Sequence, residues 1–406
     1  MTRITSLLFL ITCIISCVAS VSLAQDSFSD LEKLLRQQAM LEATDFVALE
    51  RGEPVVKLLP VGDKREVAAF GLVQLQTPVD VFLEFYRGEM TQKNNPAILE
   101  KGSFSNPPKL DDLNALTIDN RDLEDMRNCV AGNCDLKLSA AMIERFRREV
   151  TWDAPDYRLQ ASKLIKQMLL EYVQEYLVSG DQALIEYNDK RTEVRLAEEY
   201  ATLIAASRYL NASGPEFAQY LRGFPRAELP NVEHAIVWSK IRFGLKPVIA
   251  INHIMIYRRE QETGPQVLIA SKQIYANHYF NSSLALTAFI RVQDEHPGAY
   301  LLYENRSRAD GLGGVFSGMK RRMVENGAVD NLESILHQSK MSLEARAMNA
   351  AAQISAGVQE ERRSSRWSLG GVHLFWWLFW ITAMMVLLGL NAYDWKAQLR
   401  SEETPQ

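Results

Sequence analysis

The C-terminal part of the chain contains an apolar stretch from Leu369 to Leu390 without an aspartate, glutamate, lysine or arginine. An α-helix needs about 20 apolar residues to cross the hydrocarbon core of a bilayer. Trp367 and Trp395 flank the stretch, and tryptophan is enriched where a membrane meets water. A buried core helix of this length would normally keep a polar face. The stretch therefore predicts a transmembrane helix at residues 367–390, with a short tail at 391–406.

The N-terminus predicts on which side of the membrane the main body lies. A cationic start precedes an apolar run from Ile4 to Val21, and Ser22–Ala24 offers the small residues that a signal peptidase reads. We therefore expect a signal peptide at residues 1–24. A lipidated Cys17 and an uncleaved signal anchor are the alternatives, and all three export the following residues. We expect a single-pass protein of the inner membrane whose body lies in the periplasm.

The charges beside the predicted span oppose this orientation. Three arginines between residues 362 and 366 precede the span, whereas Lys396 and Arg400 follow it. Positive residues near a span normally stay on the cytoplasmic side. The N-terminal segment usually fixes the orientation first, so we place the body outside the cytoplasm.

The composition describes an ordinary folded body and limits its partners. Of the 406 residues, 47% are hydrophobic and 23% are charged, and the formal charge at pH 7 is −5. A nucleic-acid-binding protein would be expected to carry a basic patch, so we predict no nucleic-acid partner. The partners that the sequence favours are the membrane, a lipid or other apolar ligand, and another envelope protein.

Two cysteines follow the signal region, Cys129 and Cys134, in the sequence RNCVAGNCDLKL. A close pair around a glycine-containing turn, in an oxidising compartment, predicts a small local disulfide. A zinc site would need two further ligands, and no CxxC or HxxxH pair stands nearby. We therefore expect a disulfide, no metal and no cofactor.

The body divides into three stretches and a stalk. Residues 25–108 predict a helix, then strands rich in branched apolar residues, then a proline-led helix. Residues 109–230, here called the helical block, predict mainly amphipathic helices. Residues 231–342 predict five strands joined by short turns, which indicate an antiparallel sheet, and a long helix capped by Asp310. Residues 343–366 predict a helical stalk or a flexible tether.

The order of these elements resembles the START-like superfamily, also called Bet v 1-like or helix-grip. The resemblance rests on REVAAFGLVQLQTPVDVFLEFYRG, on the five strand-like runs from VEHAIVWSKIRF to AYLLYENRSR, and on the helix that follows them. The helical block departs from the family, which has a short connection at that place. The resemblance implies an α+β fold in which a long helix closes over an antiparallel sheet and encloses an apolar ligand.

The implied cavity gives a set of candidate ligand-binding residues on the predicted strands and at the start of the closing helix. They are Trp238, Ile251, His253, Tyr275, Leu286, Tyr303 and Phe316. If residues 244–247 close a hairpin, His253 also comes within reach of the neighbourhood of His234. Polar residues in strands are more often outward-facing or satisfied core groups than catalytic ones.

Three classes of function follow. The first is a membrane-anchored extracytoplasmic protein that binds or presents an apolar or lipid-like ligand. The second is an enzyme on the same scaffold that uses His253, Lys272 and Tyr303. The third is a structural or assembly subunit of the cell envelope that docks through the helical block. The sequence contains no GxSxG or HExxH motif, so we assign no catalytic residue and favour the first class.

Overall fold

The computed structural model describes residues 31–91, 97–242, 244–259, 264–292, 298–310, 312 and 317–361. The predicted signal peptide, the predicted transmembrane helix and Phe316 lie outside these residues. Among the described helices, none is long and apolar enough to cross a membrane.

The described chain contains ten strands, eight of which form one antiparallel sheet. In chain order the strands are β1 (Val55–Leu58), β2 (Glu66–Leu75), β3 (Ile98–Ser103), β4 (Glu186–Tyr187), β5 (Val194–Arg195), β6 (Val232–Ile241), β7 (Val248–Arg258), β8 (Gly264–Ala276), β9 (Phe280–Val292) and β10 (Gly298–Ala309). The large sheet has the order β1-β2-β10-β9-β8-β7-β6-β3, and β4 pairs with β5 separately. The expected meander of five strands is therefore confirmed.

Ten α-helices surround the sheet within the described residues. They are α1 (31–39), α2 (Ala43–Glu50), α3 (Val79–Thr91), α4 (Asn120–Asn128), α5 (Ala140–Glu149), α6 (Tyr157–Ser179), α7 (Leu196–Ala206), α8 (Arg208–Ser213), α9 (Pro215–Gly223) and α10 (Ser317–Glu361). The helical block supplies α4 to α9 and connects β3 to β6, two strands that pair at one edge of the sheet. The α+β class, with a large antiparallel sheet and one long helix, is as predicted.

Both faces of the sheet are buried, each against different helices. In β2, Ala69 and Val73 pack with α3 and α10, whereas Phe70 and Leu72 pack with the helical block. Successive residues of a strand face opposite sides, so a strand covered on both sides reads as a nearly continuous apolar run. The sequence EVAAFGLVQL of β2 has that pattern. We call the side under α3 and α10 the grip face and the opposite side the block face.

The long helix begins later than predicted and continues into the segment for which a helical stalk or a flexible tether was expected. It begins at Ser317, so Asp310 does not cap it; the carboxylate of Asp310 instead lies 2.6 Å from Nζ of Lys137. It continues to Glu361 as one helix of 45 residues, which includes most of the predicted stalk. The segment beyond the sheet is rich in alanine and glutamate, which are strong helix formers.

The predicted disulfide is present between Cys129 and Cys134, whose Cα atoms are 4.5 Å apart. Gly132 within this loop has a φ of 86°, a conformation that favours glycine. The loop is bonded to the residues between β4 and β5: the amide of Gly132 donates to the carbonyl of Asn188 at 2.7 Å, and that of Cys134 to Asp189 at 3.0 Å. The disulfide loop therefore holds that segment in place.

Gly71 on the grip face of β2 allows α10 to approach the sheet, and this contact gives a test of the packing. A Cβ at Gly71 would lie 2.5 Å from Cδ1 of Leu336 and 3.0 Å from Cδ2 of Leu332. Overpacking a core usually costs about 1–3 kcal/mol, so Gly71→Val should lower the free energy of unfolding by that amount in chemical denaturation.

The matched control is Gly62→Val, because no atom lies within 4 Å of a Cβ built there. It should change the free energy of unfolding by less than about 0.5 kcal/mol. An equal loss in both variants would contradict direct packing of α10 on β2.

Candidate functional site

The predicted ligand-binding residues are divided between the two faces of the sheet. Tyr303 lies on the grip face, and Phe316 lies outside the described residues. Five others lie on the block face: Trp238, Ile251, His253, Tyr275 and Leu286. All six described side chains are buried. One ligand cannot contact the whole set, because the sheet separates its members. The candidate residues were chosen for one covered face, whereas the helical block covers a second face.

His234 and His253 form a hydrogen-bonded pair between two tyrosines. Nδ1 of His253 lies 2.9 Å from the hydroxyl of Tyr176, and its Nε2 lies 2.9 Å from Nδ1 of His234. Nε2 of His234 lies 2.9 Å from the hydroxyl of Tyr220. Tyr176, His253 and Tyr220 are buried whereas His234 is exposed, so the row of four groups reaches the surface at His234. The proximity of the histidines follows from the predicted hairpin; the tyrosines come from α6 and α9.

Lys272 is the cross-strand neighbour of His253 and is also buried on the block face. Its Nζ pairs with the carboxylate of Asp181 and lies 4.7 Å from the centre of the Tyr200 ring. Burial lowers the pKa of the Lys272 amine, and Asp181 opposes that shift. Tyr303, the third member of the predicted enzymatic set, is on the grip face. His253 and Lys272 are therefore satisfied core groups, and the three residues do not converge.

Tyrosines of the helical block bond the backbone of β8 where its pairing with β7 is irregular. The hydroxyl of Tyr172 donates to the carbonyl of Ile274 at 2.6 Å, and that of Tyr187 accepts from the amide of Ala276 at 2.9 Å. The register of β7 and β8 shifts in this region. Buried backbone groups need hydrogen-bond partners, so these hydroxyls replace bonds that the sheet does not provide.

A polar pocket of about 580 Å³ lies at the end of the sheet, between the β4–β5 hairpin and α7. Small-molecule sites usually have volumes of about 300–1,000 Å³, so a small ligand fits. Its floor is formed by the buried residues Lys137, Asp189, Glu199 and Asn281, with Arg65 and Asp310 beside them. Its exposed rim is formed by Lys190, Thr192, Glu193, Arg195 and Glu198.

Lys137 is held in the floor by one hydrogen bond and two ion pairs. Its Nζ lies 2.7 Å from Oδ1 of Asn281, 2.6 Å from Oδ2 of Asp310 and 3.6 Å from Oδ2 of Asp189. The ammonium therefore donates to Asn281, and its charge is compensated by two carboxylates. Burial raises the pKa of Asp189, and the charge of Lys137 opposes this shift.

Asn281 lines the pocket and has a buried amide nitrogen without a hydrogen-bond partner among the described residues. Its Oδ1 accepts from Lys137, which fixes the orientation of the amide. Its Nδ2 is buried and has no hydrogen-bond partner in the described part of the chain, although the residue is only 2% exposed. Leaving a buried donor unsatisfied costs roughly 1–3 kcal/mol. An acceptor atom of a ligand in the pocket would remove that cost.

Two arginines connect the pocket to a charged network on the block face. Glu199 accepts from Nη2 of Arg65 at 3.0 Å and from Nη1 of Arg308 at 2.7 Å. Arg308 also donates to Glu66, which in turn accepts from Arg306 at 2.9 Å. Side chains alternate between the two faces along β10, so Arg306 and Arg308 both lie on the block face. A buried charge persists only when it is paired, and each of these charges has a partner.

The pocket was not predicted from the sequence. Lys137 and Asn281 are 144 residues apart, and no motif connects them. The sequence contained one signal of the pocket. Charged residues such as Glu66 and Arg308 stand at the ends of otherwise apolar strands, and both faces of the sheet are covered. Such charges must pair, and their partners mark the end of the sheet where the pocket lies.

Comparisons with protein-family models, with curated proteins and with solved structures found no match. The assignment of a function therefore rests on the geometry of the site.

Removing the ammonium of Lys137 tests the floor of the pocket. Breaking a buried ion pair by deleting one partner costs about 3–5 kcal/mol, because the remaining charge is left uncompensated. Lys137→Met should therefore lower the free energy of unfolding by about 3 kcal/mol, the lower end of this range, because Asp310 is 35% exposed. Lys190→Met on the exposed rim is the control and should change stability by less than about 0.5 kcal/mol. If Lys137→Met and Lys190→Met lost equal stability in thermal or chemical unfolding, the ion pairing of Lys137 in the floor would be contradicted.

The buried imidazole predicts a dependence of stability on pH. Burial, then the charges of His234 and Lys272, hold the pKa of His253 well below its usual 6.5. Below pH 6.5 the unfolded chain binds a proton that the folded chain does not, so stability is complete above this pH and falls as the pH drops toward the folded pKa. The loss is up to about 1.4 kcal/mol per pH unit.

His253→Asn should flatten this slope between pH 6.5 and 5, measured as the free energy of unfolding at each pH. His337→Asn is the matched control, because His337 is exposed on α10. A slope that is unchanged in His253→Asn would show that His253 is not the group that titrates.

Proposed function

We propose that this chain is a ligand-binding protein of the cell envelope, held at the inner membrane with its body in the periplasm, and that its polar pocket takes a small polar ligand. The observation that carries the proposal is the amide of Asn281, a buried donor without a described partner in the floor of a pocket of about 580 Å³. The resemblance to START-like proteins also favours ligand binding over catalysis.

The floor of the pocket supports a binding role because its side chains are fixed before any ligand arrives. Lys137 is bonded to Asn281 and ion-paired with two carboxylates, and Glu199 is held by two arginines. The disulfide loop bonds the segment that contributes Asp189. A site whose groups are already oriented loses little conformational entropy on binding, which favours affinity.

A lipid-like ligand between the sheet and α10 is the second candidate. The place of β2 beside β10, with the meander continuing to β6, supports the helix-grip resemblance. The grip face also carries buried polar side chains in adjacent strands, and one of them, Gln273, has an Nε2 without a hydrogen-bond partner among the described residues. The polar head of a lipid would suit such a donor.

Filling the mouth of the polar pocket separates the two candidates. Thr192 is an exposed rim residue, so Thr192→Trp should leave the fold intact and obstruct the pocket. We expect the full-length protein, purified in a mild detergent, to carry a small polar compound in native mass spectrometry. Thr192→Trp should reduce its occupancy at least tenfold, equivalent to about 1.4 kcal/mol of binding free energy.

Thr202→Trp is the matched control, because Thr202 is an exposed residue of α7 that does not line the pocket. It should retain the bound compound. If both variants and the unmodified chain instead release only lipid in equal amounts, the polar-ligand proposal is wrong and the second candidate is favoured.

A further inference from the structure

We propose that the ligand of the polar pocket is a neutral, hydroxyl-rich molecule of the carbohydrate class. This inference rests on the proposed function and names the chemistry that the pocket recognises. Some donors and acceptors of the floor are used in bonds within the protein. The inference follows from those that remain for a ligand.

An anionic ligand is disfavoured because the cations of the floor are already committed. Lys137 donates to Asn281 and is ion-paired with Asp310 and Asp189. Arg65 donates to Asp63 and to Glu199. Among the described residues, a phosphate or a carboxylate on the floor of the pocket would therefore meet no cation that lacks an anionic partner, and it would lie beside several carboxylates. Lys190, whose Nζ donates to the carbonyl of Cys134, lies on the exposed rim.

A cationic ligand is disfavoured for the converse reason. Asp189 and Asp310 share the ammonium of Lys137, and Glu199 is bonded by one arginine at each carboxylate oxygen. An ammonium ion of a ligand would have to displace Lys137 or an arginine to reach a carboxylate. It would also offer no acceptor to the amide of Asn281.

A hydroxyl group matches what remains. It has one donor and two acceptor lone pairs, whereas a carboxylate has about four acceptor sites. A ligand hydroxyl accepts from Nδ2 of Asn281 and donates to a lone pair of Asp310 or Glu199 that the ion pairs do not use. No ion pair is broken, and a neutral ligand needs no balancing charge. Several adjacent hydroxyls, as in a sugar, allow this pattern to repeat across the floor.

The test is a binding panel on the full-length protein, purified in a detergent whose head group is not a sugar. Isothermal titration calorimetry would compare neutral mono- and disaccharides with inorganic phosphate and with free lysine. We expect saturable binding of at least one neutral sugar and of neither charged compound. Asn281→Asp keeps an acceptor for Lys137 and removes the two amide donors, so it should weaken sugar binding at least tenfold.

Asn128→Asp is the matched control, because Asn128 is exposed and does not line the pocket; it should bind sugar as the unmodified chain does. Thermal unfolding of both variants establishes that they remain folded. Unchanged sugar binding in Asn281→Asp would overturn the inference, and so would binding of no sugar in the panel. Binding of phosphate or lysine, obstructed by Thr192→Trp, would overturn the carbohydrate class and leave the proposed polar-ligand function standing.

Discussion

The burial of both faces of one antiparallel sheet is the constraint on which the other features of this protein depend. Antiparallel sheets commonly leave one face to water, where charged side chains need no partner. Here the helical block removes that face from solvent, so Lys272, His253 and the arginines of β10 all lie under helices. Each must then be bonded within the protein, because an unpaired buried charge is far more costly than a paired one. The helical block supplies tyrosine hydroxyls and the carboxylates of Asp181 and Glu199, and Glu66 of β2 pairs with both arginines of β10.

The pocket is a consequence of the same requirement at the end of the sheet. The charged network of the block face continues there until it meets Lys137 and the carboxylates around it. Because those charges neutralise one another, the group that remains for a ligand in the floor is an uncharged amide, that of Asn281. This is the reason that we propose a neutral ligand for a pocket lined with charges. The charges of the lining residues alone would not indicate a neutral ligand. The hydrogen bonds and ion pairs that these residues already make do indicate one.

Local chemistry was readable from the sequence, and long-range contacts were not. The branched apolar runs of β6 to β10, the proline-led start of α3 and the turn between Cys129 and Cys134 each depend on neighbouring residues, and each was predicted. Because successive side chains of a strand point to opposite faces, the sequence also tells which residues share a face. It does not say which helix covers which side, so Tyr303 and His253 were assigned to one cavity although they lie on opposite faces. Likewise, Lys137 and Asn281 meet only after the helical block has docked on the sheet.

The disulfide connects the pocket to the proposed extracytoplasmic location of the body. Its loop bonds the backbone of Asn188 and Asp189, and Lys137 follows Cys134 by three residues. Two of the buried floor residues are therefore held by segments that meet at this covalent link. A short link of this kind restricts the unfolded chain and keeps the two segments aligned. In a reducing compartment the link would be lost, and the floor would depend on its hydrogen bonds alone. The proposed periplasmic location and the proposed polar site thus support each other, because an oxidising environment preserves the geometry that orients Lys137 and, through it, the amide of Asn281.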